Sequence, residues 1–280
     1  MTMSDDADAP TLVRPPVADL VPRPRTELDL DRLRVKAPAT FECCGVRIAA
    51  LAPDQAVADL RRRARLRQPT GVHLCNAYTL KLATGDPAYA AVLNSGTLNL
   101  PDGTPVAWAA RRAGHANVAE PVRGPGLLDA VLADGLTWGA RHYFYGSTPE
   151  VIEQLRGSLT ERHPGIEIVG MESPPFRPLT RTERFATKLR LATSRAHYVW
   201  VGLGTPKQDR FVAEFAPHVP SVTVAIGAAF EFAAGTLPEA PPVFHGSGFE
   251  WMYRLATEPR RLAGRYLRTA TVIPAILRAR

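Results

Sequence analysis

The sequence predicts an α/β fold: a Rossmann-like parallel sheet flanked by helices, followed by a small basic helical appendage at the C-terminus. Three observations predict it. Apolar runs alternate with amphipathic stretches between about residues 71 and 230, which implies parallel strands covered by helices. Several of those runs end at glycine or polar residues, where folds of this class bind ligands. After Gly235 the pattern changes to a proline-rich crossing and two helices.

Composition agrees with one large folded domain, or one domain with an appendage. The chain has 280 residues, of which 45% are hydrophobic, enough for a proper core. Its three cysteines, Cys43, Cys44 and Cys75, are odd in number and partly adjacent, which argues against a disulfide framework. The acidic start lacks the features of a signal peptide, and the longest apolar stretch is too short to span a bilayer. We therefore expect a cytoplasmic protein that at most touches a membrane from one side.

Three regions are expected along the chain: a disordered proline-rich leader over residues 1–40, an α/β catalytic core over 41–245 and the basic helical appendage over 246–280. In chain order, the predicted strands are 41–48 (a region of strands), 71–75, 97–100, 142–145, 167–171, 196–201 and 222–226. The predicted helices are 54–67, 78–83, 87–95, 104–113, 126–139, 150–162, 180–194, 207–215, 248–256 and 259–272.

Helix starts are predicted from capping residues. Asp54 is expected to cap the first helix, and Ser147 or Thr148 to cap the helix that follows Pro149. Pro259 is expected at the first position of the last helix, where a proline costs no hydrogen bond.

The stretch 198–210 is a buried strand that ends at a tight turn and opens a helix. Gly202 and Gly204 would let the backbone approach a ligand, and Lys207, Gln208 and Asp209 would lie on the first helical turn, which favours anions. The alternative is a plain strand-to-helix turn capped by Thr205, with Pro206 at the first helical position.

Other polar groups follow predicted strands. Asp102, in Pro-Asp-Gly, is placed to act as a general base, or else to bond its own backbone in a turn. Asn76 and Thr79 suit sugar or base recognition, although Asn76 is equally suited to cap the next helix. Arg123, which precedes a helix, fits a phosphate contact or a solvated loop. The histidines show no metal-ligand spacing.

Positive charge is concentrated at the C-terminus, where residues 250–280 hold seven arginines against two glutamates. Arg261, Arg265 and Arg268 share one face of the last predicted helix, while Leu262 and Tyr266 share another. This is a basic amphipathic helix. It is either a docked terminal helix with a solvated face or an interfacial helix that meets anionic lipid or diphosphate.

Taken together, these segments resemble the WecG/TagA/CpsF family of glycosyltransferases of bacterial cell-surface polysaccharide synthesis. The resemblance runs from about residue 45 to residue 270. It is carried by Val72–Ala77, Leu100–Val106 with Arg111 and Gly114, Arg123-Gly124, Val201–Asp209, Ala225–Gly235, Gly248–Leu255, Glu258–Arg261 and Arg265–Leu267.

The resemblance implies an inverting transferase that uses a UDP-sugar, often UDP-N-acetylmannosamine, and a polyprenyl-diphosphate-linked acceptor sugar. Asp102 matches the aspartate that the family uses as its general base. Arg254, Arg261 and Arg265 match arginines that close over the diphosphate and approach the membrane. No cofactor and no divalent metal are implied. The candidate substrate-binding residues are Asn76, Thr79, Gly103, Arg123, Gly204, Lys207, Gln208, Arg254, Arg261 and Arg265.

The sequence departs from the family pattern in four places. Leu74 stands where a threonine is common, and Asp209 replaces a glutamate. Glu239 replaces an arginine and so reverses a charge. The residues that follow, 242–246, lack the usual aromatic and basic side chains. These departures concern the acceptor and part of the diphosphate contact, and they leave the expected base untouched.

The expected partners are a UDP-sugar, a lipid-linked glycan acceptor and the anionic inner face of the cell membrane, with a homo-oligomer left open. A transferase with a soluble acceptor is the alternative that Glu239 favours. A non-catalytic nucleotide or nucleic-acid binder ranks last, because the basic groups cluster on one helix without interleaved stacking aromatics. No nucleic-acid partner is therefore expected.

Overall fold

A computed structural model describes residues 35–244 and 249–279 of the chain. The strands are β1 (Thr40–Cys43), β2 (Val46–Ala49), β3 (Thr70–Cys75), β4 (Leu98–Pro101), β5 (Arg141–Gly146), β6 (Glu167–Glu172), β7 (Tyr198–Gly202) and β8 (Val222–Ala225). The helices are α1 (Pro53–Arg65), α2 (Ala77–Gly85), α3 (Pro87–Leu93), α4 (Thr104–Arg112), α5 (Gly124–Leu136), α6 (Pro149–Arg162), α7 (Arg181–Thr193), α8 (Lys207–Phe215), α9 (Ala229–Ala233), α10 (Glu250–Thr257), α11 (Pro259–Ala270) and α12 (Ile273–Ile276).

The predicted α/β fold is confirmed. In the described residues, six strands form one parallel sheet in the order β4-β3-β8-β7-β5-β6, with helices on both faces. Strand β3 has β4, the next strand along the chain, on one side. Its neighbour on the other side is β8, the last strand of the sheet in the sequence. A crevice opens outside the carboxyl ends of the strands where the strand order reverses in this way.

Burial on both faces explains why the strands read as apolar runs rather than as alternating ones. Tyr198 and Trp200 of β7 pack into the cluster under α1, α5 and α6, while Val199 and Val201 face the cluster under α7 and α8. All five residues of β7 are buried. Parallel sheets covered on both faces generally show this pattern.

The hairpin β1–β2 is a separate antiparallel pair that lies beside the edge strand β4. The Asn99 amide of β4 donates a hydrogen bond to the Arg47 carbonyl of β2 (2.8 Å). A third apolar cluster joins the hairpin to α2, α3, α4 and the end of the chain through Val272 and Ile276. The Cys43 thiol there donates to the Ile276 carbonyl (3.9 Å).

The C-terminal helices lie against this cluster. Helix α11 packs on α2, and α12 packs on α4. No helix in the described part of the chain is long and apolar enough to cross a bilayer. The predicted leader falls largely on residues 1–34, and the start of the predicted helix 248–256 on residues 245–248, both outside the described residues.

Two capping predictions have different outcomes. Thr148 accepts a hydrogen bond from the Val151 N–H and Pro149 opens α6, as predicted. The prediction that Asp54 caps α1 is wrong, because α1 already begins at Pro53. There the Gln55 side chain accepts a hydrogen bond from the backbone N–H of Ala52 (3.1 Å), so the residue after Asp54 satisfies the helix start.

Candidate active site

One large cavity lies at the carboxyl ends of the parallel strands. Its volume is about 1210 Å³. Its wall includes the residues that directly follow five of the strands: Asn76 after β3, Asp102 after β4, Ser147 after β5, Leu203 after β7 and Ile226 after β8. The predicted crevice is therefore present at the place that the strand order indicates.

Asp102 and Asn76 meet because of the strand register. Cys75 pairs with Pro101 in the parallel ladder of β3 and β4, so the next residue of each strand emerges beside the other. The Asn76 side-chain amide donates a hydrogen bond to Oδ2 of Asp102 (3.1 Å). The bond fixes one carboxylate oxygen, and the half-buried Asp102 lines the cavity.

Asn76 has the two roles that the sequence left as alternatives. Its Oδ1 accepts hydrogen bonds from the backbone N–H groups of Tyr78 (3.0 Å) and Thr79 (3.1 Å) and so caps α2. Its Nδ2 is left to hold Asp102. Thr79 itself is buried behind Asn76 and is not part of the cavity wall. Its hydroxyl donates to Asn76 Oδ1 (3.4 Å), so it supports the residue that touches the cavity.

Gly103 allows the chain to turn from β4 into α4. Its φ of 79° lies in the left-handed region, which glycine adopts without strain. Its carbonyl then accepts the first hydrogen bonds of α4, from the N–H groups of Val106 and Ala107. Asp102 is thus held between a strand end and a helix start, both fixed by backbone hydrogen bonds.

The turn between β7 and α8 is braced by Gln208. Its Oε1 accepts from the Gly204 N–H (3.0 Å), and the Gly204 carbonyl accepts from the Gln208 N–H (3.0 Å). Helix α8 spans Lys207–Phe215, as predicted; the alternative in which Thr205 caps a helix that starts at Pro206 is wrong, because Pro206 is the residue before the helix and no side chain caps it. Gly202 is required for packing, since a Cβ there would come within 2.5 Å of the Phe230 ring.

The three polar residues at the start of α8 point to different places. Lys207 is exposed and lies over the ring of Phe176, while Gln208 lines the cavity from a buried position. Asp209 lies on the first turn of α8, as predicted, but it is not part of the cavity wall. Its carboxylate is buried, accepting from the Tyr89 hydroxyl (2.8 Å) and pairing with His73 Nδ1 (3.0 Å). Burial and then the Asp209 charge raise the pKa of Tyr89, which keeps that hydroxyl a donor.

The cavity mouth carries several arginines. Arg254 lies 5.1 Å from the ring centroid of Phe232, and Arg265 lies 5.3 Å from that of Tyr78. Aromatic faces hold a guanidinium without neutralising its charge. Arg265 thus faces the cavity, whereas Arg268 is exposed, so the two do not share the single solvated face expected of α11. The side chain of Arg261 lies outside what the structure describes.

Arg123 is the remaining predicted cation. It precedes α5, lines the cavity, and pairs with Glu239 at 2.8 Å from its Nη2 to Oε1. Glu239 is the residue that reverses the charge common at its position, so the departure from the family pattern lies directly on a candidate binding residue. Other rim arginines are also paired: Arg177 with Glu183, Arg184 with Glu214 and Arg210 with Asp86.

Two cavity residues were missed by the sequence argument. Glu231 of α9 accepts from the Ser147 hydroxyl (3.3 Å) through Oε1, while its buried Oε2 has no hydrogen-bond partner among the described residues. Phe176, 89% exposed, stands in the loop between β6 and α7. Glu231 falls within a family-like segment and was therefore detectable. Phe176 is surrounded by prolines, which gave no indication of a cavity wall.

Comparison with known protein families agrees with this geometry. The model of the "Glycosyl transferase WecG/TagA/CpsF family" matches residues 41–280. The chain belongs to this family. The match covers both the parallel-sheet core and the C-terminal helices that complete the cavity. As a family member the chain is a glycosyltransferase of cell-surface polysaccharide synthesis, with a sugar-nucleotide donor and a glycan acceptor in general terms.

The described residues contain no group of three or more histidines, cysteines, aspartates or glutamates placed to hold a metal ion. Cys75 lies beneath Asp102 and Asp209, and burial together with those two charges raises the pKa of its thiol. The thiol is therefore neutral and serves as a packed apolar group.

Proposed function

We propose that the chain is an inverting transferase that moves N-acetylmannosamine or another hexose from a UDP-sugar to a polyprenyl-diphosphate-linked acceptor sugar. The observation that carries the proposal is the Asp102 carboxylate, which lies in the cavity wall and has one oxygen fixed by Asn76. A general base needs this combination of fixed position and access to the hydroxyl whose proton it takes. The donor and acceptor follow from the family resemblance.

The reaction step is a single displacement. The acceptor hydroxyl oxygen attacks the anomeric carbon, the bond from that carbon to the UDP oxygen breaks, and Asp102 takes the hydroxyl proton. UDP leaves with the bonding electron pair as negative charge on its diphosphate. Arg254, Arg265 and Lys207 line the cavity, and cations there stabilise such developing charge.

The part of the cavity wall that the C-terminal helices form is apolar as well as basic, and we propose that the acceptor binds there. Trp251 and Tyr266 of the C-terminal helices line it, and Phe249, Met252 and Leu267 are at least half exposed on the same helical segment. Apolar side chains beside arginines are typical of surfaces that meet anionic lipid. We therefore propose a peripheral position on the inner face of the membrane. The soluble-acceptor alternative is favoured by Glu239 and the altered segment after it, and the basic amphipathic helix argues against it.

The test is sugar transfer by Asp102→Asn, which keeps the shape of the side chain but removes the base. We expect a loss of 10²-fold or more, the order that general-base catalysis contributes. UDP binding, measured by calorimetry, should remain within about threefold of wild type, because Asp102 is not among the proposed diphosphate contacts. The same transfer assay in EDTA tests the metal-free part of the proposal, with full turnover expected.

Two outcomes would contradict the proposal. Full transfer by Asp102→Asn would remove Asp102 as the base, and strict dependence on Mn²⁺ or Mg²⁺ would overturn the metal-free step. Transfer to soluble sugars but not to lipid-linked ones would select the soluble-acceptor alternative. UDP-sugar binding without transfer to any acceptor would favour a non-catalytic binder.

A further inference from the structure

Glu239 forms the one described ion pair that joins the cavity wall to the segment leading into the C-terminal helices. Its Oε1 lies 2.8 Å from Arg123 Nη2. The Arg123 side chain is only 14% exposed, whereas that of Glu239 is 39% exposed. Arg123 lines the cavity, whereas Glu239 is not part of the cavity wall and lies nearer to solvent.

Hydrogen bonds fix the backbone that leads to each partner. Arg123 follows Val122, whose N–H donates to the Pro101 carbonyl at the end of β4 (2.7 Å). Glu239 lies between Pro238 and the buried Ala240. Upstream, the N–H groups of Thr236 (3.0 Å) and Leu237 (3.2 Å) both donate to the Glu231 carbonyl. The backbone that leads to each partner is thus held by hydrogen bonds, which limits where the two side chains can lie.

A fixed carboxylate beside Arg123 changes what that arginine can bind. An incoming anion must share the guanidinium with Glu239 or displace it, and the two negative charges repel each other. Because Glu239 is more than one third exposed, solvent screening keeps the effect modest. A group of lower negative charge at the same position suffers less repulsion.

We propose that Glu239 is a specificity-determining residue that weakens the binding of diphosphate groups at Arg123. The inference rests on the proposed function, since it assigns Arg123 to a diphosphate of one of the substrates. That diphosphate belongs either to the UDP of the donor or to the lipid carrier of the acceptor. The charge of Glu239 then determines how tightly Arg123 binds that diphosphate.

The test compares wild type with Glu239→Gln, which removes the charge and keeps a hydrogen-bond acceptor for Arg123. Calorimetry with inorganic pyrophosphate should show binding about fivefold tighter in the variant, as expected for removal of one screened charge. Titrations with UDP and with geranyl diphosphate identify the source, because the gain should appear in only one of them if Arg123 serves one substrate.

Two further proteins isolate the pair. In an Arg123→Gln background, Glu239→Gln should give no gain, since the guanidinium through which the carboxylate is proposed to act is then absent. Asp129→Asn is the matched control: Asp129 also pairs with an arginine, Arg162 (3.3 Å), but lies outside the cavity wall. Its pyrophosphate affinity should equal that of wild type.

Several results would overturn the inference: unchanged or weaker pyrophosphate binding in Glu239→Gln, a gain that persists without Arg123, or no detectable binding by either protein. Failure of the proposed function has a different signature. A gain of binding in Glu239→Gln, with no sugar transfer by wild type, would refute the transferase proposal alone. Normal transfer without the gain would refute only the role of Glu239.

Discussion

At the scale of single residues, Asn76 connects local folding to chemistry. One amide oxygen caps α2, and the amide nitrogen of the same side chain holds the candidate base. Asparagine suits both tasks because its side chain carries an acceptor and two donors. Aspartate would cap equally well but has no donor to offer Asp102.

Asn76→Asp separates the two tasks. The cap of α2 should be retained, because aspartate and asparagine are equivalent caps. Any loss in the free energy of unfolding should come from repulsion between the two carboxylates, and it should shrink as the pH falls and one of them is protonated. Sugar transfer should fall at least tenfold. The new carboxylate also repels that of Asp102 and raises the pKa of the pair, so the acid limb of the pH–rate profile should move to higher pH. Urea denaturation and a pH series of transfer rates measure the two effects.

The control for this substitution is Asn117→Asp. The Asn117 amide donates to the Ala50 carbonyl and to Gln55, and Asn117 is outside the cavity wall. Asn117→Asp removes the same amide donor at a position that does not contact Asp102. An unshifted pH profile in Asn76→Asp would contradict the assignment of Asp102 as the group that Asn76 positions.

At the scale of elements, α11 divides its side chains between three environments. Leu262 is buried, Arg265 faces the cavity, and Leu267 is 78% exposed. The 3.6-residue period predicted an amphipathic helix, but it could not show which neighbour each face meets. A helix with a cavity on one side and exposed apolar residues on another is suited to bring a lipid headgroup to the site.

Leu267→Glu should weaken binding to vesicles that contain anionic lipid by about threefold or more, because it removes apolar area and adds a repulsive charge. UDP binding should be unchanged, since Leu267 is not in the cavity wall. Vesicle co-sedimentation measures the effect. Leu66→Glu is the control: Leu66, 46% exposed, follows α1 and precedes the amino end of β3, whereas the cavity lies at the carboxyl ends of the strands. Equal loss in both variants would argue against α11 as the membrane contact.

Much of the fold was predictable from local patterns. The alternation of apolar strands and amphipathic helices depends on burial period, which the sequence displays directly. The short helices α9 and α12 were not predicted, because five and four residues are too few to establish a period. Asp54 does not cap α1 because the helix already starts at Pro53 and Gln55 bonds the Ala52 N–H, whereas Thr205 does not cap α8 because that helix starts at Lys207 without a side-chain cap.

The site was predictable only where a residue's function follows from its place at a strand end. Asn76, Asp102 and Gln208 met that condition, and the structure brings all three to the cavity. Asp209 did not, since only the fold shows that its side chain turns toward His73 and Tyr89. The pairing of Arg123 with Glu239 joins residues 116 apart in the chain, and no local pattern encodes such a contact.

At the scale of the whole molecule, the buried His142 and the half-buried His197 make the free energy of unfolding depend on pH. Burial is the main cause that lowers the pKa of His142 to about 3 and that of His197 to about 4. Both are neutral when folded, and His142 Nδ1 accepts a hydrogen bond from Trp200 (3.2 Å). In the unfolded chain they take up protons near the ordinary value of 6.5.

Stability should therefore be full above about pH 6.5 and fall as the pH drops below it, since the unfolded state then binds more protons. One such histidine contributes a slope of up to about 1.4 kcal/mol per pH unit. His142→Asn should reduce the slope of the free energy of unfolding against pH, measured by urea denaturation between about pH 6.5 and pH 5. The slope that remains should include the contribution of His197. The exposed His218→Asn should retain the wild-type slope. A slope unaffected by His142→Asn would contradict the buried neutral state.

The contact between Cys43 and Ile276 joins residues 233 apart in the chain. The apolar cluster around them contains the first strands of the fold and its last helix. During synthesis, the hairpin leaves the ribosome long before its final neighbours exist. Strands β5 to β7 form their contacts within about a quarter of the chain and can assemble early. Folding of the cluster therefore cannot be completed until the helix that carries Ile276 has been synthesised.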